Sequence, residues 1–190
     1  MKMSDCVLFI PGINPTRAEK QFLGDKIEYY DQAAFENDYT HKSDFLDDET
    51  REIITSSLAL KQGDVIISNS MSLATMVGKN NAGKIPSLNF IKVEFPNNHI
   101  DRYYFIYLFN AYKDVKRQKE RELQGSSTIL RIPVKALNEL IIPIIPLEEQ
   151  KKIGIIYRET LVLQSKLNKY ANTLVQFADA ILDENLREKR

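Results

Sequence analysis

The spacing of apolar residues changes character along this chain, and the changes divide it into elements. Residues 7–10 form a short apolar run that predicts a strand, and Pro11-Gly12-Ile13-Asn14-Pro15 then breaks it with turn formers whose φ values suit no regular element. Residues 24–52 are acidic, polar and aromatic by turns (Tyr29, Tyr30, Phe35, Tyr39, Phe45) with no clean period of 2 or 3.6, so irregular structure or short strands are expected there. After the turn Lys61-Gln62-Gly63-Asp64, the β-branched run at 65–68 predicts a buried strand. A second strand is expected near 74–77 and a third, with visible alternation, over 88–95; the connection between them across the polar loop 78–84 reads as hairpin-like. Residues 100–111 carry apolar side chains at helical spacing with Asp101 near the first turn, and the basic stretch 113–121 follows, which predicts a helix or a helix pair. A strand at 129–132 and a short helical turn at 134–140 lead into 141–146, where Pro143 and Pro146 exclude a helix interior and an extended buried segment is expected.

Beyond residue 146 there is no proline and a single glycine, Gly154. Ile153, Ile156, Thr160, Leu163, Leu167, Tyr170, Leu174, Phe177, Ile181 and Glu184 follow one another in steps of three and four, the seam of a coiled coil. About 40 helical residues span roughly 60 Å, more than a small domain needs, and so the apolar members of the stripe, Ile153, Ile156, Leu163, Leu167, Tyr170, Leu174, Phe177 and Ile181, are expected to pair with a second copy. The competing expectation is a helix folded back on its own domain. The fold class is α+β: a mixed β-sheet domain over residues 1–146, then a long coiled-coil helix over 147–190.

With 43% apolar and 27% charged residues, the 190-residue chain can bury one substantial core. The single cysteine, Cys6, excludes an intramolecular disulfide framework. No apolar run approaches the roughly 20 residues that cross a bilayer, so a cytoplasmic protein without membrane contact is expected. Formal net charge is zero, which argues against indiscriminate coating of nucleic acid, but its distribution is uneven. Lys and Arg stand 6 against 12 Asp and Glu in residues 1–60, 12 against 7 in 61–147 and 8 against 7 in 148–190, so positive charge gathers in the middle.

Catalytic chemistry finds little support. His41 and His99 lie far from any Gly-x-Ser-x-Gly elbow, Cys6 sits in an apolar run that disfavours its thiolate, and no pair has zinc-ligand spacing. Gly78-Lys79-Asn80-Asn81-Ala82-Gly83-Lys84 mimics a phosphate-binding loop, but Ile85 replaces the hydroxyl that would hold magnesium. Groups that read DNA are better represented. Lys79, Asn80, Asn81 and Lys84 share one loop, where an amide suits adenine and a lysine suits phosphate or guanine. Lys113, Lys116, Arg117, Lys119 and Arg121 form a basic segment that could position the backbone, and Gln124, Ser126, Ser127, Thr128 and Arg131 add short hydrogen-bonding groups beside it.

Four segments together resemble one target-recognition half of a type I restriction-modification specificity subunit. They are Lys61-Gln62-Gly63-Asp64-Val65-Ile66-Ile67-Ser68, Gly78-Lys79, Leu123-Gln124-Gly125-Ser126-Ser127, and the run from Ile141 through Pro143, Pro146, Leu147, Glu149 and Gln150 to Ile153. That family typically closes its recognition domain with Ile-Pro-x-Pro-Pro-Leu-x-Glu-Gln-x-x-Ile before a spacer helix; here Ile144-Ile145-Pro146 stands where the double proline is usual. The resemblance covers residues 58–190 and touches 1–57 only loosely. It implies a non-catalytic subunit with no cofactor of its own, whose residues 1–146 are a target-recognition domain for double-stranded DNA. It implies a homodimer with two such domains about a two-fold axis, and partner methyltransferase subunits bringing S-adenosylmethionine, with a restriction subunit bringing ATP and magnesium. No Asn-Pro-Pro-Tyr or Asp-Pro-Pro-Phe tetrapeptide occurs, as a subunit without methyl-transfer chemistry requires. The alternative is a coiled-coil interaction protein that occupies the modification subunit as a decoy without reading DNA.

Overall fold

The structure, a computed structural model, describes residues 1–14, 28–40, 58–97, 99–122 and 131–187. Its centre is strand β3 (Val65–Ser68), buried at all four positions. Alternation sends Val65 and Ile67 into one apolar cluster and Ile66 into another on the opposite face of the sheet. On either side of β3 lie β4 (Leu73–Met76) and β6 (Phe90–Glu94), and β1 (Leu8–Pro11) pairs with the outer edge of β6, giving an antiparallel sheet of order β1-β6-β3-β4. The hairpin therefore joins β3 to β4 through residues 69–72, where Ser72 takes φ 53°. A hairpin between the second and third expected strands is corrected, because β3 lies between them. The third strand also starts two residues later than expected, since the Phe90 N–H closes a turn on the Ser87 carbonyl at 2.9 Å. A short parallel pair, β2 (Tyr29–Tyr30) and β5 (Ile85–Pro86), completes the strands of the described residues.

Residues 32–39, expected to be irregular, form helix α1 (Gln32–Tyr39), begun by the Asp31 carboxylate, which accepts the Ala34 N–H at 2.9 Å. Its buried positions are Ala34, Phe35 and Asp38, a patch one turn long with a polar member, too short to impose a readable period. Asp101 caps α2 (Arg102–Asn110) in the same way, through Tyr104 N–H at 2.9 Å. Then follow α3 (Lys113–Glu122) and α4 (Val134–Glu139). Asn110, at the end of α2, exchanges two 2.7 Å hydrogen bonds with the Ala74 backbone and so pairs the β4 edge as a neighbouring strand would. Residues 141–146 are extended, but Ile141 is 50% exposed while Ile142 is buried, which corrects the expectation of a wholly buried segment.

Helix α5 (Leu147–Arg187) runs for 41 residues. Its first turns are fastened to α2. Gln150, 1% exposed, accepts the Asp101 N–H at 2.9 Å and donates to the His99 and Ile145 carbonyls at 3.0 and 2.8 Å. Gly154 lets the two helices meet: a Cβ there would stand 2.6 Å from Asp101 Oδ1 and 2.9 Å from Tyr104 N. Tyr157 meets Tyr107 edge-on at 5.5 Å. Ile153 packs, half-buried, against the main cluster of its own chain, so its assignment to an intermolecular seam is corrected. Farther along, the Ser165 hydroxyl donates to the Thr40 carbonyl at the end of α1. From 166 to 187 every residue is exposed, about 33 Å of helix at 1.5 Å per residue.

Candidate nucleic-acid interface

The residues singled out for DNA contact divide into separate places. Lys79, Asn80, Asn81 and Lys84 follow β4, beyond the end of the sheet where Val65 faces Met76 and Val93. Lys79–Asn81 form one 3-10 turn, and only Lys79 of the four is exposed. Asn81 is 2% exposed: its Nδ2 donates to Asp38 Oδ1 at 2.8 Å and the Ala34 carbonyl at 3.1 Å, and its Oδ1 accepts from Lys84 Nζ at 2.8 Å. Tyr30 O–H reaches the other Asp38 oxygen at 2.7 Å. Burial raises the Asp38 pKa, and the hydrogen bonds from Asn81, Tyr30 and the Gly78 backbone, with the Lys84 charge, oppose the rise. The expectation that Asn81 reads a base edge is thereby corrected, since its amide joins α1 to the loop and has no donor left over.

The basic stretch is likewise thinner than its composition. Lys116 and Arg117 are exposed on α3, but Arg117 Nη1 lies 3.6 Å from Asp114. Lys119 points inward, 6% exposed, donating to the carbonyls of Ser72 at 2.8 Å and Phe109 at 2.6 Å with its ammonium 4.0 Å from the Phe109 ring centre. Arg131 is exposed at the opposite end of the sheet, where Ser68 faces Phe90 and Leu73, and its Nη2 donates to Asn89 Oδ1 at 2.7 Å. Gln124, Ser126, Ser127 and Thr128 lie outside the described residues.

Groups for catalysis do not converge among the described residues. Among the described residues no cluster of His, Cys, Asp and Glu could hold a metal, and no helix is long and apolar enough to cross a membrane. Cys6 is fully buried, and its thiol pKa is raised by that burial and by Asp5. A cleft of about 620 Å³ runs between Tyr39 and Thr40 and the polar face of α5 carrying Ser165, Asn168 and Asn172. Its lining mixes amides and hydroxyls with Lys169 and Leu161.

A family model for the type I restriction modification DNA specificity domain matches residues 16–172. The chain belongs to that family. No curated protein matches it. Solved structures that share the fold include a chain from work on complex assembly and conformational transition of the type I R-M system, with TM-score 0.60 and 18% identity over 96% of this chain and 44% of that one. The HsdS subunit from Thermoanaerobacter tengcongensis matches with TM-score 0.56 and 20% identity over 96% and 43%. The type I system S subunit from M. genitalium matches with TM-score 0.50 and 16% identity over 94% and 43%. The specificity-domain chain thus spans less than half the length of these relatives. Within it, the phrase that carried the resemblance has a physical basis: Pro146 ends the extended segment, and Gln150 ties α5 to the cap of α2.

Proposed function

We propose that this specificity-domain chain is the DNA-recognition subunit of a type I restriction-modification complex, acting as a homodimer in which each copy reads one half of an inverted, bipartite site. Residues 1–146 form the reading head and 147–190 the spacer. It contributes no catalytic group: methyltransferase subunits bring S-adenosylmethionine, and a restriction subunit, where present, brings ATP and magnesium. The observation that carries this reading is the exposed apolar stripe of α5. Ile156, Leu163, Leu167, Tyr170, Leu174, Phe177 and Ile181 are between 42% and 68% exposed along one stripe, an arrangement that a chain on its own does not maintain in water without cost.

Val175, Leu182 and Leu186, also at least 60% exposed, widen that stripe toward the far end. At 100° per residue the apolar arc there covers about 180°, more than a two-stranded seam hides, so the distal helix has surface for a modification subunit as well as for its twin. A gel shift tests the reading: duplex binding by the chain is expected to become tighter and sequence-selective when methyltransferase subunits are added. Unaltered, unselective binding in their presence favours the decoy.

A further inference from the structure

The DNA-reading surface proposed above leaves open which side chain reads a base, and one exposed arginine is held by a side-chain amide. Arg117 faces the exposed Asp114 carboxylate at 3.6 Å. Arg131 instead donates one of its five N–H groups to the neutral amide oxygen of Asn89, which holds one edge of its fork without opposing its charge.

The support beneath that pair is rigid. Asn89 sits in the turn closed by Phe90 N–H on the Ser87 carbonyl at 2.9 Å, and its own carbonyl accepts the Asn69 N–H at 2.8 Å. Asn69 Oδ1 in turn accepts the Ile132 N–H at 3.1 Å, beside Arg131. Three segments, the β3–β4 turn, the turn before β6 and residues 131–132, are therefore sewn together at one end of the sheet, next to buried Phe90 and Ile132. An arginine positioned before binding loses less rotamer freedom on making two hydrogen bonds, and a bidentate fork matches the O6 and N7 acceptors of guanine in the major groove.

We propose that Arg131, oriented by Asn89, is a guanine-reading side chain of this chain, and that Asn89 is its positioning residue. The inference rests on the DNA-specificity reading. It is tested with the full chain and its modification subunits, after the target of the wild type is established from the methylated sites. Binding is then measured on duplexes carrying each single base-pair change, at several salt concentrations, for wild type, Arg131→Ala, Arg131→Lys and Asn89→Ala. Arg131→Ala is expected to weaken the cognate duplex by about 5- to 150-fold per half-site, to erase discrimination at one G·C pair only, and to leave the salt slope unchanged. Asn89→Ala is expected to lose part of the discrimination at that same pair with an unchanged melting temperature, which a merely structural role would not produce. A uniform loss on every duplex, with the salt slope reduced by about one, makes Arg131 a phosphate contact and overturns the inference. So does full discrimination by Arg131→Ala. A wild type that shows no discrimination among duplexes refutes the DNA reading itself.

Discussion

Lys119 allows a prediction with a sign and a size. Burial, with the charge of Lys116 beside it, pushes its pKa down from the ordinary 10.5 to about 8, and Glu120 opposes the shift. Between those two values the unfolded chain holds a proton that the folded chain has released. Stability therefore rises with pH through this window, is fully gained above the unfolded value and is lost as pH falls through the folded one. Each tenfold change in proton affinity is worth about 1.4 kcal/mol, which bounds the effect at about 3 kcal/mol, with about 2 kcal/mol of it between roughly pH 7.5 and 9.5. Lys119→Met removes the titration and keeps an unbranched stem in the same space. Urea unfolding of both proteins across that range gives the difference directly. Tyr30, Tyr39, Tyr104 and Tyr157, whose pKa values burial raises, act in the opposite direction as pH nears their unfolded value, but equally in both proteins. The stability of wild type minus variant should climb by about 2 kcal/mol. A flat or falling difference would mean that the carbonyls of Ser72 and Phe109 and the ring hold the ammonium charged, and would refute the reasoning.

Other expectations concern the helix and its seat. Gln150→Ala strips partners from the Asp101 N–H and the His99 and Ile145 carbonyls and should lower stability by about 2–3 kcal/mol in chemical denaturation. Gly154→Ala should destabilise the fold in the same assay despite a gain of about 1 kcal/mol in helix propensity, because the new methyl meets the α2 backbone; a net stabilisation would show that the crossing is loose. Leu167→Ala should weaken self-association by about 30- to 1000-fold in sedimentation, since about 1–2 kcal/mol of burial is lost at each of two symmetric sites, with little change in the unfolding of the single chain. Asn81→Ala should cost about 2–3 kcal/mol of stability by thermal or urea unfolding, and leave base preference unaltered in binding to substituted duplexes.

What the sequence revealed and what it hid follow from the range of the forces involved. Local rules were sufficient for β3, whose four-residue apolar run is buried on both faces, for α2, whose cap Asp101 stands where its spacing requires, and for the long helix with its periodic stripe. α1 escaped because its buried face is one turn long and includes Asp38, a residue made tolerable only by Tyr30 and Asn81 from elsewhere in the chain. Strand order escaped for the same reason: local apolar patterning marks β4 and β6 but cannot reveal that β3 lies between them. In the candidate interface, composition could not separate an outward amide from an inward one. Asn81 and Lys119 look like their neighbours on paper, and only tertiary contacts turn them into internal ties. Arg131 and Asn89 lie 42 residues apart, and the turn that brings them together is set by the sheet.

The proposed homodimer holds two identical reading heads apart on paired helices. Sequencing the methylated bases in DNA from cells that express this chain with its methyltransferase subunits tests it most directly. The expected target is bipartite, with halves that are inverted copies of one another across a fixed spacer, and that spacer lengthens or shortens when whole heptads are added to or removed from the distal helix. Methylation at a site with two unlike halves, or at no defined site, would contradict it.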